Sequence, residues 1–291
     1  MPKLDTPSAP QKAAFPDYAL FRSVCSDGLS KVRPLRNGAS KKDDDWGWNY
    51  GSGWPPSYWA YGRMRAMMTL LEATALAPKS VLEVAAGDAA LSACLATMGC
   101  EAAANDLRAD NLANAVANFS NAHSIRCLPG NLFDLDPAKI GQFDLVIACE
   151  IVEHVAHTTE FLLQLKRFVA PGGRILITTP NGAYFRNKLP THSQIQDFTA
   201  LEKQQFQPDA DGHLFLITPQ EMESLAHQAG LEVERMVLWG TPAVTGHARL
   251  ALLSTPAACW GCYQLERLSQ SLPFSMREKA CFSLFIVLTI S

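Results

Sequence analysis

Residues Val81 to Leu91 read VLEVAAGDAAL, an apolar strand that breaks at Gly87 and resumes as a helix, and Asp106 stands about 20 residues downstream. A strand, a glycine turn and a helix, followed by a second strand ending in an acid, describe a pocket for a nucleoside: the acid accepts from ribose hydroxyls, and a glycine lets the ligand approach the backbone. A dinucleotide fingerprint requires G-x-G-x-x-G. Here Ala85, Gly87 and Ala90 hold the corresponding positions and Glu83 lies inside the strand end, so the fit to NAD is poor.

The rest of the chain extends this unit. Candidate strands at Val81–Ala85, Ala102–Asp106, Ser124–Cys127, Phe143–Cys149 and Arg174–Thr179 alternate with helical patterns at Leu107–Phe119 and His157–Val169. Such alternation predicts a parallel, doubly wound sheet. Pro171-Gly172-Gly173 is expected to turn the chain into the fifth strand. Thr218-Pro219-Gln220-Glu221 opens a further helix with a capping box, and Leu231–Trp239 and Phe282–Ile290 supply two more strands. A helix is also expected over Ser57–Ala77, ended by Pro78.

Composition narrows the function classes. With 291 residues and 48% hydrophobic content the chain can bury one large core. A net charge of −3 gives no global field toward nucleic acid or an anionic membrane. The longest apolar run, Phe282 to Ile290, falls short of the ~20 residues that span a bilayer, so no membrane span is expected. Eight scattered cysteines and a polar, proline-punctuated start without a signal peptide lead to the expectation of a reduced, cytoplasmic protein. Cys259-Trp260-Gly261-Cys262 has no second pair and is read as structural.

In an open α/β sheet the ligand lies beyond the carboxyl ends of the strands, where strand order reverses. The candidate polar groups all fall there. Glu83 and Gly87 follow strand one, Asp106 ends strand two, Asn131 and Leu132 follow strand three, Cys149 and Glu150 end strand four, and Asn181 follows strand five.

Glu83 and Gly87, with Ala85 and Ala89 in two glycine places, resemble motif I of the class I S-adenosylmethionine-dependent methyltransferases. The segments Phe143–Ile147, Glu150–Val155, Pro171–Gly173 through Thr178–Asn181, and His213 through Pro219 resemble the ubiquinone-biosynthesis type of O-methyltransferase and its small-molecule relatives. The resemblance covers about residues 65–238. It implies an α/β fold with a Rossmann-like, doubly wound seven-stranded sheet, mostly parallel with an antiparallel last strand. The expected organisation is a mobile segment over residues 1–45, an aromatic lid and helix over 46–78, and the methyltransferase domain over 79–291, with a helical elaboration at about 240–281.

The cofactor implied is S-adenosyl-L-methionine, with Arg65, Glu83, Ala85, Gly87, Asp106, Leu107, Asn131, Leu132 and Cys149 around it. In the family an arginine ahead of motif I meets the methionine carboxylate, and Arg65 stands at the matching distance from Glu83. Asn131 and Leu132 would offer an amide and an apolar wall to the adenine.

The run Glu150-Ile151-Val152-Glu153-His154 can turn two carboxylates and an imidazole toward one point, and in some relatives a later histidine stands where His213 does. Three readings stay open. Glu150, Glu153, His154 and His213 hold magnesium or manganese, since hard oxygen ligands dominate. Alternatively, Glu150 bonds the cofactor, Glu153 caps the next helix and His154 takes the acceptor proton. The third is a purely structural role for the run. Trp46, Trp48, Tyr50, Trp54, Trp59 and Tyr61 form the candidate lid, and Tyr184, Phe185, Arg186 and residues 197–211 the acceptor side.

The expected reaction is methyl transfer to a small-molecule acceptor, at oxygen, with nucleic acid not expected as a partner. The alternatives are a metal-assisted RNA 2′-O-methyltransferase and a non-catalytic scaffold of the same fold.

Overall fold

The structure, a computed structural model, describes Tyr18–Ala19 and residues 56–118, 124–205, 212–245 and 256–291. Apart from Tyr18 and Ala19, the expected mobile segment lies outside these residues, as do the lid aromatics Trp46 to Trp54 and 206–211 of the expected acceptor side. For Trp59 and Tyr61 only the helical backbone is described.

Seven strands form one sheet in the order β3-β2-β1-β4-β5-β7-β6. They are β1 (Ser80–Val84), β2 (Glu101–Asp106), β3 (Arg126–Pro129), β4 (Phe143–Cys149), β5 (Val169–Pro180), β6 (Leu231–Trp239) and β7 (Ser283–Ile290). The first five pair in parallel, and β7 inserts between β5 and β6, antiparallel to both. The sheet is accompanied by helices α1 (Pro56–Ala75), α2 (Ala90–Thr97), α3 (Ala109–Asn118), α4 (Pro137–Ile140), α5 (Thr158–Arg167), α6 (Thr199–Glu202), α7 (Pro219–Gln228), α8 (Pro256–Ser269) and α9 (Phe274–Ala280), and by short 3-10 turns at Leu132–Asp134, Val152–His154 and His192–Gln194.

Period-2 alternation along the strands builds two cores. Val81, Leu145, Ile147, Leu176, Phe285 and Val287 face one side, beneath Met64, Met67 and Met68 of α1 and Leu95 of α2. Leu82, Val84, Val146, Ile175, Ile177 and Ile286 face the other, beneath Leu162 and Leu165 of α5 and Met222 of α7. Both faces being covered explains why the central strands read as near-continuous apolar runs.

Thr218 caps α7 as expected, its hydroxyl accepting from Glu221 N while the Glu221 carboxylate accepts from Thr218 N. Two expectations need correction. Strand β3 begins at Arg126 rather than Ser124, because it pairs with β2 from Ala103↔Arg126 to Asp106↔Pro129 and Asn105 Nδ2 donates to Leu128 O and Gly130 O. Pro171-Gly172-Gly173 does not precede β5 but forms an irregularity inside it. The pairing with β4 jumps from Phe143↔Val169 to Leu145↔Arg174, and a Cβ on Gly173 would meet three backbone oxygens at 2.9 Å. Helices α8 and α9 occupy the stretch expected as a helical elaboration. Cys259 and Cys262 are buried on α8, and among the described residues neither is in a disulfide. Among the described residues no helix is long and apolar enough to cross a membrane.

Candidate functional site

Strand order reverses between β1 and β4, and the loop leaving β1 stands at that point. Its backbone is left-handed at alternate residues: Ala85 at φ +54, Gly87 at φ +55 and Ala89 at φ +52. Glycine takes this conformation without strain, whereas alanine carries a cost of about 1–2 kcal/mol at each place. The loop therefore keeps its turn although two positions carry a methyl group. Neighbouring strand ends hold it: Ala86 N donates to Asn105 O at 2.9 Å and Gly87 N to Asp106 Oδ2 at 2.8 Å.

Asp106 does more than the sequence implies. Its second oxygen, Oδ1, accepts from Arg108 N at 2.9 Å and Asn111 Nδ2 at 3.0 Å, so the buried carboxylate ties β2, the β1 loop and the start of α3 together. Glu83 Oε2 accepts from Ser92 N at 2.9 Å and Ser92 Oγ at 2.6 Å, anchoring α2 to β1. Burial pushes the Glu83 carboxyl up to about 7, against the opposing effect of the Ser92 bonds. Ser92 carried no signal in the sequence, because a helical serine has no pattern that marks it as an anchor.

Two clefts flank this loop, and Ala85 lines both. One, of about 260 Å³, is walled by Val84, Leu107, Leu132, Phe133, Ile151 and Val155, with Asn131 also at its edge. Asn131 Oδ1 is engaged with Phe133 N at 3.1 Å. The other, of about 180 Å³, brings Arg65, Thr69, Glu83, Gly87, Cys149 and Glu150 together. Burial pushes the Cys149 thiol up to about 12, which keeps it neutral. An apolar cleft beside one holding a guanidinium suits a molecule with an aromatic base at one end and a carboxylate at the other.

Glu150 has a left-handed backbone, φ +50, and its carboxylate meets Arg65 Nη1 at 2.9 Å and Thr178 Oγ1 at 2.9 Å. It stands apart from the other three candidate ligands. Those three converge: the ligand atoms of Glu153, His154 and His213 all lie within 4.8 Å of one another. The two imidazole rings meet edge-on with centroids 4.9 Å apart, and Glu153 Oε1 lies 3.9 Å from His213 Nε2.

Glu153 is fully buried. Its Oε2 accepts from Thr179 Oγ1 at 2.9 Å, while Oε1 has no hydrogen-bond partner among the described residues. Burial, then the nearby Glu150 charge, raises the Glu153 carboxyl well above its ordinary range. Burial, then His154, lowers His213. Thr178 and Thr179, adjacent residues at the end of β5, thus hold the two acids apart, a role that their place in a TTPN run does not reveal. Asn181 supports the frame by donating to Glu278 O and Cys281 O.

His157 and Glu160 at the rim of the apolar cleft were not foreseen, and Glu202 and Gln205, from the stretch expected on the acceptor side, line the same cleft. His157 Nε2 meets Glu202 Oε1 at 2.6 Å, and Gln205 Oε1 accepts from Ala156 N at 3.0 Å. These contacts join α6 and the turn after it to the start of α5, across 45 and 49 residues of chain. No local pattern encodes such a meeting.

A ubiquinone biosynthesis O-methyltransferase of Rickettsia conorii is 31% identical over 102 residues, 35% of this chain and 35% of that protein. One from a Caulobacter species is 31% identical over 102 residues, 35% of this chain and 40% of its own length. The chain thus spans between a third and about two fifths of these curated relatives. The CcbJ methyltransferase of Streptomyces caelestis shares the fold with a TM-score of 0.54 at 16% identity, covering 85% of this chain and 95% of that one. A family model described as a methyltransferase domain matches residues 58–235, more than half of the sequence, and the chain belongs to this family of S-adenosylmethionine-dependent methyltransferases.

Proposed function

We propose that this protein transfers the methyl group of S-adenosylmethionine to an oxygen of a small-molecule acceptor. One observation carries the reading: an apolar cleft and an arginine-bearing cleft meet at the left-handed loop clipped by Asp106. On this reading adenine enters the first cleft and the methionine carboxylate meets Arg65 in the second. The ribose hydroxyls lie at Asp106, between them.

Methyl transfer is an in-line displacement at a cationic sulfonium, so the protein's contribution is alignment, exclusion of water and removal of the acceptor proton. His154, beside the polar groups at the end of β4, is the group we assign to take that proton. Relatives named for ubiquinone biosynthesis O-methylation support an oxygen acceptor.

As the alternative to His154 acting as the base, Glu153, His154 and His213 fit a divalent cation. Their atoms are close enough to share one ion after a small contraction, and among the described residues the buried Glu153 Oε1 lacks a hydrogen bond. With Glu150 engaged elsewhere, two imidazoles and one carboxylate suit manganese or another first-row transition ion better than magnesium. Such an ion, when bound, lowers the pKa of an acceptor hydroxyl.

Titration calorimetry with S-adenosylmethionine, followed by labelled methyl transfer to a panel of small hydroxylated aromatics, tests the reading. Micromolar binding and label in an ether product are expected. Absence of cofactor binding by the purified protein would sink it.

A further inference from the structure

Helix α1 packs onto the sheet through Met64, Met67 and Met68, all fully buried. Methionine is unbranched and adaptable, so such packing holds a helix against a surface but specifies weakly how far along its own axis the helix sits. Position along that axis matters here, because Arg65, Ala66 and Thr69 of α1 line the polar cleft. A slip by one residue moves the guanidinium by about 1.5 Å, enough to break a bidentate contact with a carboxylate.

Glu72 stands two turns beyond Arg65 on the same stripe of α1. Its buried carboxylate pairs with Arg235 of β6. An irregularity in β6 makes that meeting possible. The pairing with β7 runs Val233↔Leu288 and then Arg235↔Val287, so Glu234 is an extra residue. Paired residues share a face of the sheet: Leu288 belongs to the core beneath α5 and α7, Val287 to the core beneath α1. Strict alternation would send Arg235 to the same side as Val233, and the bulge turns it toward α1 instead. A buried ion pair adds little net stability over apolar side chains of similar volume, and its best-attested use is to fix register, since a slipped helix would leave both charges desolvated and unmet.

We propose that Arg235, turned onto α1 by the bulge in β6, fixes the register of that helix through Glu72 and so positions Arg65 for the carboxylate of the cofactor. Glu72 and Arg235 are positioning residues, outside the linings of both clefts. The inference rests on the reading that Arg65 receives the methionine carboxylate. It gives α1 two polar anchors, Arg65 to Glu150 after β4 and Glu72 to Arg235 on β6, with the adaptable methionines between and around them.

Replacing both partners, Glu72→Met with Arg235→Met, removes the register contact and leaves apolar side chains of similar length, a change expected to keep the fold. Calorimetry on the full chain then compares S-adenosylhomocysteine with 5′-methylthioadenosine, which keeps the nucleoside and the sulfur but lacks the carboxylate. The parent is expected to bind the first at least ~10-fold more tightly. In the double variant that preference should fall by at least ~5-fold, while affinity for 5′-methylthioadenosine stays within about twofold of the parent's. In an Arg65→Ala background the same double change should alter the preference by less than about twofold, because the group it positions is gone. A preference equal to the parent's in the double variant, a further loss in the Arg65→Ala background, or weakening of both compounds alike would overturn the positioning role and leave the cofactor reading standing. A parent that binds neither compound would overturn both.

Discussion

Arg65 on α1 and Glu150 after β4 form an ion pair at 2.9 Å, with 17% of each side chain exposed, inside the cleft that also holds Glu83 and Gly87. A carboxylate thus already occupies the arginine expected to receive the methionine tail. The planar guanidinium carries five donors and can serve both acids. Arg65→Ala should weaken S-adenosylmethionine binding by roughly 10-fold or more, as loss of a charge-assisted bond costs about 1.5–3 kcal/mol. Calorimetry checks this, and affinity equal to the parent's would remove Arg65 from the site.

Asp106→Ala should abolish measurable cofactor binding and also destabilise the fold. The carboxylate receives three N–H groups, from Gly87, Arg108 and Asn111, so removing it costs about 2 kcal/mol or more. Chemical denaturation reads the stability and calorimetry the binding. A variant as stable as the parent would contradict the clip.

The left-handed alanines give a test of opposite sign. Ala85→Gly and Ala89→Gly should each stabilise by roughly 0.5–1 kcal/mol, the relief of the left-handed backbone outweighing the extra freedom of the unfolded chain. Gly87→Ala should destabilise by about 1 kcal/mol although nothing lies within 4 Å of the added methyl, because the cost is conformational. Unfolding midpoints decide. No gain in either alanine variant would mean that the loop is not strained.

Glu83 makes binding and stability depend on pH in opposite directions. Burial puts its carboxyl at about 7 in the fold against an ordinary 4.5, so the folded state holds an extra proton between those values. The stability contribution is complete below pH 4.5 and is lost as pH rises through 7, up to about 3 kcal/mol for a fully buried group. A cationic cofactor favours the ionised acid, so affinity should rise between pH 6 and 8 with release of a proton. Calorimetry in buffers of different ionisation enthalpy measures that proton, and Glu83→Gln should abolish its release.

Glu153→Gln should cut the affinity of the protein for manganese by at least ~10-fold, read from the electron paramagnetic resonance of free manganese. Glu150→Gln, outside the cluster, should change it by less than about threefold. If the parent binds no manganese and a chelator leaves turnover unchanged, His154 remains as the proton acceptor without a metal.

Much of the frame was legible in the chain. Leu231–Trp239 emerges as a strand with the expected bounds, and Thr218 and Glu221 form the expected box, because apolar periodicity and capping act over a few residues. Glu83, Gly87, Asp106, Leu132 and Cys149 could be placed at one edge because every parallel strand delivers its carboxyl end there. By contrast, the separation of Glu150 from Glu153 and His154 was not readable from the E-x-x-E-H run, since spacing says nothing of a left-handed residue at its start.

The sequence by itself determined the order of strands and helices, the apolar faces and the switch-point loop with its acid, all set by short-range patterns. Tertiary structure alone decided which polar groups meet: Glu150 with Arg65, Glu153 with His213, and Glu202 with His157 beside Glu160. These partners come from distant stretches of chain. Their pairing depends on burial and on hydrogen bonds from Thr178, Thr179 and Ser92, which exist only after the sheet has formed.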